Sequence, residues 1–191
     1  MNKTRLLFKT VSEIVGTDDI GLLVMVDAAQ TRQLAITCDK HMLHQFGLRL
    51  GNVPILGSLL PEVLWTMIRN LNADRYEILI VDVNDGQYRT LLYDIDTREP
   101  VSLRASDAIL LSLIAHLPVY IDTALFERQS VPYKPDSPAL ALPVNTITDN
   151  MLKAALDKAV ADENYELASH LHEEMMRRKN SHKEREEGAE E

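Results

Sequence analysis

Arg104, Ser106 and Asp107 fall within four consecutive positions, directly ahead of the apolar run Ala108-Ile109-Leu110-Leu111-Ser112-Leu113-Ile114-Ala115. A planar arginine fork, a hydroxyl and a carboxylate at a helix start can bind phosphate, because free backbone N–H groups face outward there. The same residues also serve local structure. Ser106 is a natural N-cap, Asp107 suits the first turn against the helix dipole, and Arg104 can pair with a nearby carboxylate. A helix with no polar face is buried in the middle of a domain. The polar trio therefore stands at the mouth of the most buried helix in the chain, and phosphate binding and capping both remain open on the residues alone.

Asp94 and Asp96 precede this stretch and could join Asp107 around a divalent ion. Carboxylates suit magnesium or manganese, and phosphodiester hydrolysis uses such an ion to polarise phosphate and acidify water. Aspartates at strand ends are also turn-formers. His41 and His44 stand at i, i+3 with Cys38 and Asp39 alongside, but no second ligand pair at zinc spacing follows, so a solvated helix face is the better reading. No nucleophile-elbow glycines flank Ser106, which leaves a Ser-His-Asp triad unsupported. No glycine-rich loop of the P-loop or dinucleotide type occurs.

The elements that must position these residues can be read from the pattern. Leu6, Phe8 and Val11 form a loose apolar set, Asp18-Asp19 reads as a turn, and Gly21-Leu22-Leu23-Val24-Met25-Val26 is a short apolar run. Thr31-Arg32 marks a turn before Leu34-Ala35-Ile36, so residues 4–38 read as strands. A helical segment follows from Lys40 to Leu50 and ends near Gly51 and Pro54. Leu59, Leu60, Val63, Leu64, Met67, Ile68 and Leu71 recur at helical spacing, with Ser58 as N-cap and Pro61 in the first turn; Trp65 falls off this stripe and borders another surface. Tyr76–Val83 and Gln87–Ile95 read as strands joined by an Asn84-Asp85-Gly86 hairpin turn. A short strand at Val101–Leu103 leads into the central helix, and Pro118-Val119-Tyr120-Ile121 is a strand after it. Asp122 caps a last short helix through Gln129. Strands and helices mix without regular alternation, which predicts an α+β fold: a mixed sheet packed with helices.

Pro132, Pro135, Pro138 and Pro143 then give linker composition over 132–147. Leu152, Ala155, Leu156, Ala159 and Val160 form one helical stripe, opened by Thr148; Ala168, Leu171 and Met175 form a second, after a turn at Asp162-Glu163-Asn164. Two short helices on a short turn make a C-terminal α-helical hairpin over 148–180. Met175 and Met176 are packing residues in it, and 181–191 is a charged, frayed tail.

At 191 residues the chain fits one ordinary domain, here 1–131, plus a small appendage. Apolar residues at 46% suffice for a core, and the net charge is −9. From Thr148 onward 12 acidic residues meet 7 basic ones, so neither half is a basic module and a general nucleic-acid coat is disfavoured. Cys38 is the only cysteine, which excludes an internal disulfide and suits a reducing compartment. With no signal-peptide pattern at the start and no apolar run approaching the ~20 residues of a membrane span, a soluble cytoplasmic protein without a membrane partner is expected.

Residues 4–133 resemble the bifunctional nuclease domain family, small bacterial and plant α+β proteins assigned DNase and RNase activity. The resemblance is strongest from Pro61 to Val131 and rests on the helix before the hairpin, the strand Tyr76–Val83, and Arg104-Ala105-Ser106-Asp107-Ala108-Ile109. The family's usual Arg-Pro-Ser-Asp-Ala run has Ala105 here in place of proline. Family members also commonly carry a glutamate leading into the first helix; Met42 falls near that position, so a role of that glutamate in binding metal or activating water is either lost here or moved to Asp39. The second part resembles a UVR motif, a helical hairpin of excision-repair subunits and some Clp protease adaptors, through Tyr165-Glu166-Leu167-Ala168-Ser169 and its flanks.

The resemblances imply a cytoplasmic bacterial protein performing metal-assisted phosphodiester hydrolysis of DNA or RNA. Asp107 and Ser106 are then catalytic, Arg104 binds substrate phosphate, and Asp94 and Asp96 are candidate ligands of magnesium or manganese. The UVR-like hairpin implies a protein partner engaged by Tyr165, Ala168, Leu171 and Met175, and pairing of hairpins makes a homo-oligomer the expectation. The alternative is a non-catalytic scaffold or regulatory ligand-binding module that recruits a repair or proteolysis partner.

Overall fold

The structure is a computed structural model that describes residues 2–13, 20–68, 74–84, 86–133 and 149–161, with 165, 168–169, 171–173 and 175–176. The expected turns at Asp18-Asp19 and Asp162-Glu163-Asn164 lie outside these residues, as do Leu71, Asp85, the segment 134–147, Thr148 and the tail 181–191. Two compact units divide the chain, Met1–Pro143 and Val144–Glu191.

The first unit is built on one eight-stranded sheet. β1 (Lys3–Glu13), β2 (Ile20–Asp27) and β3 (Arg32–Asp39) form an antiparallel meander. β4 (Tyr76–Asn84), β5 (Gln87–Asp94) and β6 (Pro100–Arg104) form another. β7 (Val119–Asp122) joins the two, running parallel to β4 and antiparallel to β1 so that Val119 lies beside both Ile78 and Leu6. β8 (Val131–Pro132) closes the far edge against Arg32 and Gln33. The order is β6-β5-β4-β7-β1-β2-β3-β8, a mixed sheet, and the fold is α+β as the pattern predicts. Pro132 and Tyr133, expected in the linker, still belong to this edge: Pro132 pairs with Arg32, and the Tyr133 N–H donates to the Thr31 carbonyl at 2.9 Å. A proline is tolerated there because an edge strand leaves one side of its backbone unpaired.

The turn chemistry follows the sequence. Asn84 pairs with Gln87, which leaves a two-residue hairpin loop whose Gly86 takes φ 73°, a conformation open to glycine at no steric cost. Asp27 closes the β2–β3 turn by accepting from the N–H groups of Thr31 and Arg32. The run from Gly21 to Val26 is buried throughout, as expected of a strand covered on both faces.

α1 (Lys40–Leu50) spans the predicted segment, with Asp39 as N-cap. A tight 3₁₀ turn (Pro54–Ser58) precedes α2 (Leu60–Met67). Ser58 does not cap α2; Leu59 stands at that position without a side-chain bond, because the 3₁₀ turn absorbs Ser58. The α2 stripe does not face the core either. Leu60, Val63, Leu64, Met67 and Ile68 are exposed, while Trp65, the residue off the stripe, packs against the core. α3 (Ala105–Ala115) has no exposed residue and α4 (Thr123–Gln129) is capped by Asp122, both as expected.

The core lies between one face of the sheet and α1, α3 and α4, and includes Leu23, Met25, Ile36, Phe46, Ile78, Ile80, Ile109, Ile121 and Phe126. Phe8 stacks on Phe46 with ring centroids 5.4 Å apart. α3 touches β3, β4, β5 and β6 as well as α1 and α2. Helix α3 is thus the axis around which the sheet wraps.

In the second unit, α5 (Asp149–Ala161) is helical, with Leu152 and Ala159 buried. Residues 165, 168–169, 171–173 and 175–176 are helical as well, with Ala168 and Leu171 buried. Among the described residues, no helix is long and apolar enough to cross a membrane.

Candidate functional site

β3 ends at Asp39 and β6 ends at Arg104, and each strand runs straight into a helix. Six strand spacings separate β3 from β6 in the sheet order, so a flat sheet would hold them roughly 29 Å apart. Yet Arg104 Nη1 donates to Asp39 Oδ2 at 3.1 Å. The sheet curls around α3 far enough to bring the two strand ends, and the two helix starts that follow them, to one place.

Arg104 is the centre of this cluster. Its Nε donates to Asp107 Oδ2 at 2.5 Å and its Nη2 to Asp107 Oδ1 at 3.2 Å, a forked contact with the first turn of its own helix. Its Nη1 reaches Asp39, whose other oxygen accepts from the Met42 N–H at 2.8 Å and caps α1. The Met42 N–H, with the nearby guanidinium, holds the Asp39 carboxyl below the usual carboxylate range. Asp107 first, then Asp39, push the Arg104 guanidinium above its ordinary value, so it stays charged. The Arg104 side chain is 63% exposed despite its three contacts, and both carboxylates are partly open to solvent.

The expected cap is displaced. α3 begins at Ala105, with Arg104 as N-cap and no side-chain hydrogen bond there, which places Ser106 inside the first turn and buries it. Ala105 thus occupies the first helical position, where proline is favoured and alanine is a good substitute. Ser106 therefore does not cap α3.

Asp94 and Asp96 are not joined to this cluster. Arg89 pairs with Arg104 across β5 and β6, and Asp94 lies five residues further along β5, about 16 Å away by strand rise. Asp94 is fully committed where it sits. Its Oδ2 accepts from Arg75 Nε at 3.1 Å and Nη2 at 2.9 Å, and its Oδ1 accepts from the N–H groups of Asp96 and Thr97. The Arg75 contact holds its carboxyl down at about 2. Asp96 is exposed, 3.9 Å from Arg75 Nε. The pair organises the turn after β5. Among the described residues, no group of three or more His, Cys, Asp or Glu side chains is placed to hold a metal ion.

Cys38 is buried in the core, where burial pushes its thiol up to about 11, while His41 and His44 are exposed on α1. They do not converge, in keeping with the solvated-face reading of the histidines. Met42 is buried in the core. In the second unit Tyr165 is exposed, Met175 is half-buried, and Ala168 and Leu171 are buried.

Asp39 was the residue whose place in the cluster the sequence did not give. Its one signal is local, an aspartate immediately before a helical segment, and that marks a cap but not its distant partner.

The Asp39–Arg104–Asp107 cluster and most of the sheet, though not β1, lie within a recognisable stretch. The family model for the bifunctional nuclease domain matches residues 23–134, which include all three residues. No curated protein matches the chain.

Proposed function

The chain belongs to the bifunctional nuclease domain family, and from that premise we propose that it cleaves phosphodiester bonds of DNA or RNA at the mouth of α3. The observation that carries this reading is the exposed Arg104 guanidinium, held by Asp39 and Asp107 where two helices begin. Arg104 binds a substrate phosphate through the guanidinium N–H donors that Asp39 and Asp107 leave open, aided by the outward N–H groups of the first turn of α3. Asp107 and Asp39 fit as the carboxylate pair for a hydrated magnesium or manganese ion, which takes one or two carboxylates together with substrate phosphates. When bound, the ion supplies charge on the phosphate and an acidified water. Asp107 would accept a hydrogen bond from the attacking water and so orient it, and Ser106 lies buried in the first turn beneath.

Cleavage of single-stranded and duplex DNA and RNA with magnesium or manganese tests the reading, using wild type, Arg104→Ala and Asp107→Asn. Activity that copurifies with wild type and falls at least about 100-fold in both folded variants supports it. Activity absent in wild type, or unchanged by both substitutions, overturns it.

A second reading is favoured by the same contacts, since Arg104 already meets two carboxylates and joins α1 to α3 as a clasp. The first unit is then a scaffold or regulatory ligand-binding module, working in a reducing cytoplasmic compartment. Its partner is a protein bound through the UVR-like C-terminal helices, with Tyr165 as the exposed contact and Ala168, Leu171 and Met175 supporting it. Capture of a repair or proteolysis component by the full chain, lost in Tyr165→Ala, supports this alternative; capture unaffected by that change counts against it.

A further inference from the structure

A second guanidinium stands beside Arg104. Arg89 on β5 is the direct partner of Arg104 on β6 in their antiparallel ladder. Directly opposed residues leave such a ladder on the same face, with Cβ atoms about 4.5–5.5 Å apart. That face is turned away from the core, since Tyr88 and Thr90 on either side of Arg89 are buried while Arg89 itself is exposed. Like charges set opposite one another repel and destabilise a sheet.

The repulsion is offset on one side only. Arg104 is matched by Asp39 and Asp107. Among the described residues, the Arg89 side chain has no hydrogen-bond or ion-pair partner. Asp82 lies across from it in register at the bulge of β4, but its Oδ1 accepts from the Val83 N–H at 2.8 Å and it makes no ion pair with Arg89. A local rule of sheet stability is thus broken beside the mouth of α3, and such breaks concentrate at functional sites. An anion held between the two guanidinium groups removes the repulsion.

We propose that Arg89 binds the substrate phosphate next to the one that Arg104 holds, so that the site takes a strand with successive phosphates in preference to an isolated phosphodiester. The inference rests on the cleavage reading. Arg104 leaves part of its five-donor fork open, and Arg89 leaves all of its own open. A nucleic-acid strand carries one charge per nucleotide, so two neighbouring guanidinium groups meet two successive phosphates. Contacts of this kind position a strand without reading its bases.

Cleavage of a single-stranded oligonucleotide and of bis(4-nitrophenyl) phosphate, which carries one phosphate, tests the proposal with wild type, Arg89→Gln, Arg89→Lys and Arg104→Ala. Arg89→Gln keeps the aliphatic stem and loses the repulsion, so it should fold with a Tm at or above that of wild type. Its kcat/KM should fall about tenfold further on the oligonucleotide than on the single phosphodiester, chiefly through KM. Arg89→Lys keeps a point charge and should recover most of that loss. Arg104→Ala should depress both substrates. Binding of the oligonucleotide without metal gives a second readout: the slope of log K against log salt should be shallower by about 0.7 in Arg89→Gln. Equal losses on the two substrates, or an oligonucleotide KM and salt slope unchanged in Arg89→Gln, overturn the proposal and leave the cleavage reading standing. A wild type inactive on both substrates overturns the cleavage reading and this inference with it.

Discussion

Arg104, the N-cap of α3, donates to Asp39, the N-cap of α1, at 3.1 Å across 65 positions of sequence. One guanidinium therefore ties together two helix starts that the sheet order places far apart. The position is exposed, so its electrostatic value for stability is small, while its value for any anionic ligand is large.

Arg104→Ala should accordingly separate function from folding. Loss of exposed ion pairs costs about 1 kcal/mol or less, a fall in Tm of about 2–4 °C for a chain of this size. Cleavage, if Arg104 holds substrate phosphate, should fall about 100-fold. Arg104→Lys keeps the charge but not the fork that reaches Asp39 and Asp107 together, so it should restore only part of the activity. Thermal denaturation and initial rates on one oligonucleotide check both halves.

Asp39 carries two duties that different substitutions divide. Asp39→Ala removes the cap on α1 and should cost about 1 kcal/mol. Asp39→Asn keeps an oxygen for the Met42 N–H and should leave the Tm near wild type. Asn gives up the negative charge beside Arg104, so under the nuclease reading both variants should lose metal-dependent activity alike. Activity retained in Asp39→Asn would confine Asp39 to capping.

The local elements were readable because they rest on neighbouring residues. The 3.6-residue spacing of α1, the glycine of the β4–β5 turn and the Asp122 cap all express short-range rules. What α2 packs against was not readable. Its stripe is a sound helix signal, but periodicity is blind to which face meets the core, and Trp65 took that side instead. The site divides in the same way. Arg104 and Asp107 are neighbours on one helix start and can be found together. Asp39 joins them only because the sheet curls around α3, and Asp94 leaves them because β5 carries it to the other end of its ladder with β6.

Asp94 sets a pH dependence of stability. Its carboxyl lies at about 2 in the fold, below the ordinary value of about 4. A depressed carboxylate stabilises the fold fully above about pH 4, and that contribution is lost as pH falls toward 2. Asp94→Asn, which cannot pair ionically with Arg75, should lower the Tm at pH 7. The gap between variant and wild type should narrow as pH drops from 4 to 2. A gap independent of pH would assign the effect of the substitution to the turn hydrogen bonds alone.

Gly21 is fixed by a neighbour. It is buried on β2 opposite Cys38, and a Cβ there would overlap the Cγ and both Cδ carbons of Leu43 on α1. Overlap with Cγ is not relieved by a small rotation of the chain end, so Gly21→Ala should destabilise by about 1–3 kcal/mol through overpacking. Leu43→Ala should be costly alone but should partly rescue Gly21→Ala. Chemical denaturation of the two single variants and the double variant should therefore give a favourable coupling.

The link between α1 and α2 offers the sharpest contrast among ion pairs. The Arg49 side chain is 8% exposed and pairs with Glu62 at 2.7 Å, while its Nη1 also holds the Gln45 carbonyl and side-chain oxygen. Among the described residues its buried Nε has no partner, so the desolvation of this guanidinium is incompletely offset. Removing one member of such a pair strands the other charge: Glu62→Leu, which leaves buried Arg49 unpaired, should cost about 3–5 kcal/mol. Arg49→Met with Glu62→Leu removes both charges and keeps the volume, and it should lie close to wild type or above it. Denaturation midpoints of the three proteins decide the matter. Should the double variant be as unstable as the single one, the pair would be holding α2 in place by direction as well as by charge.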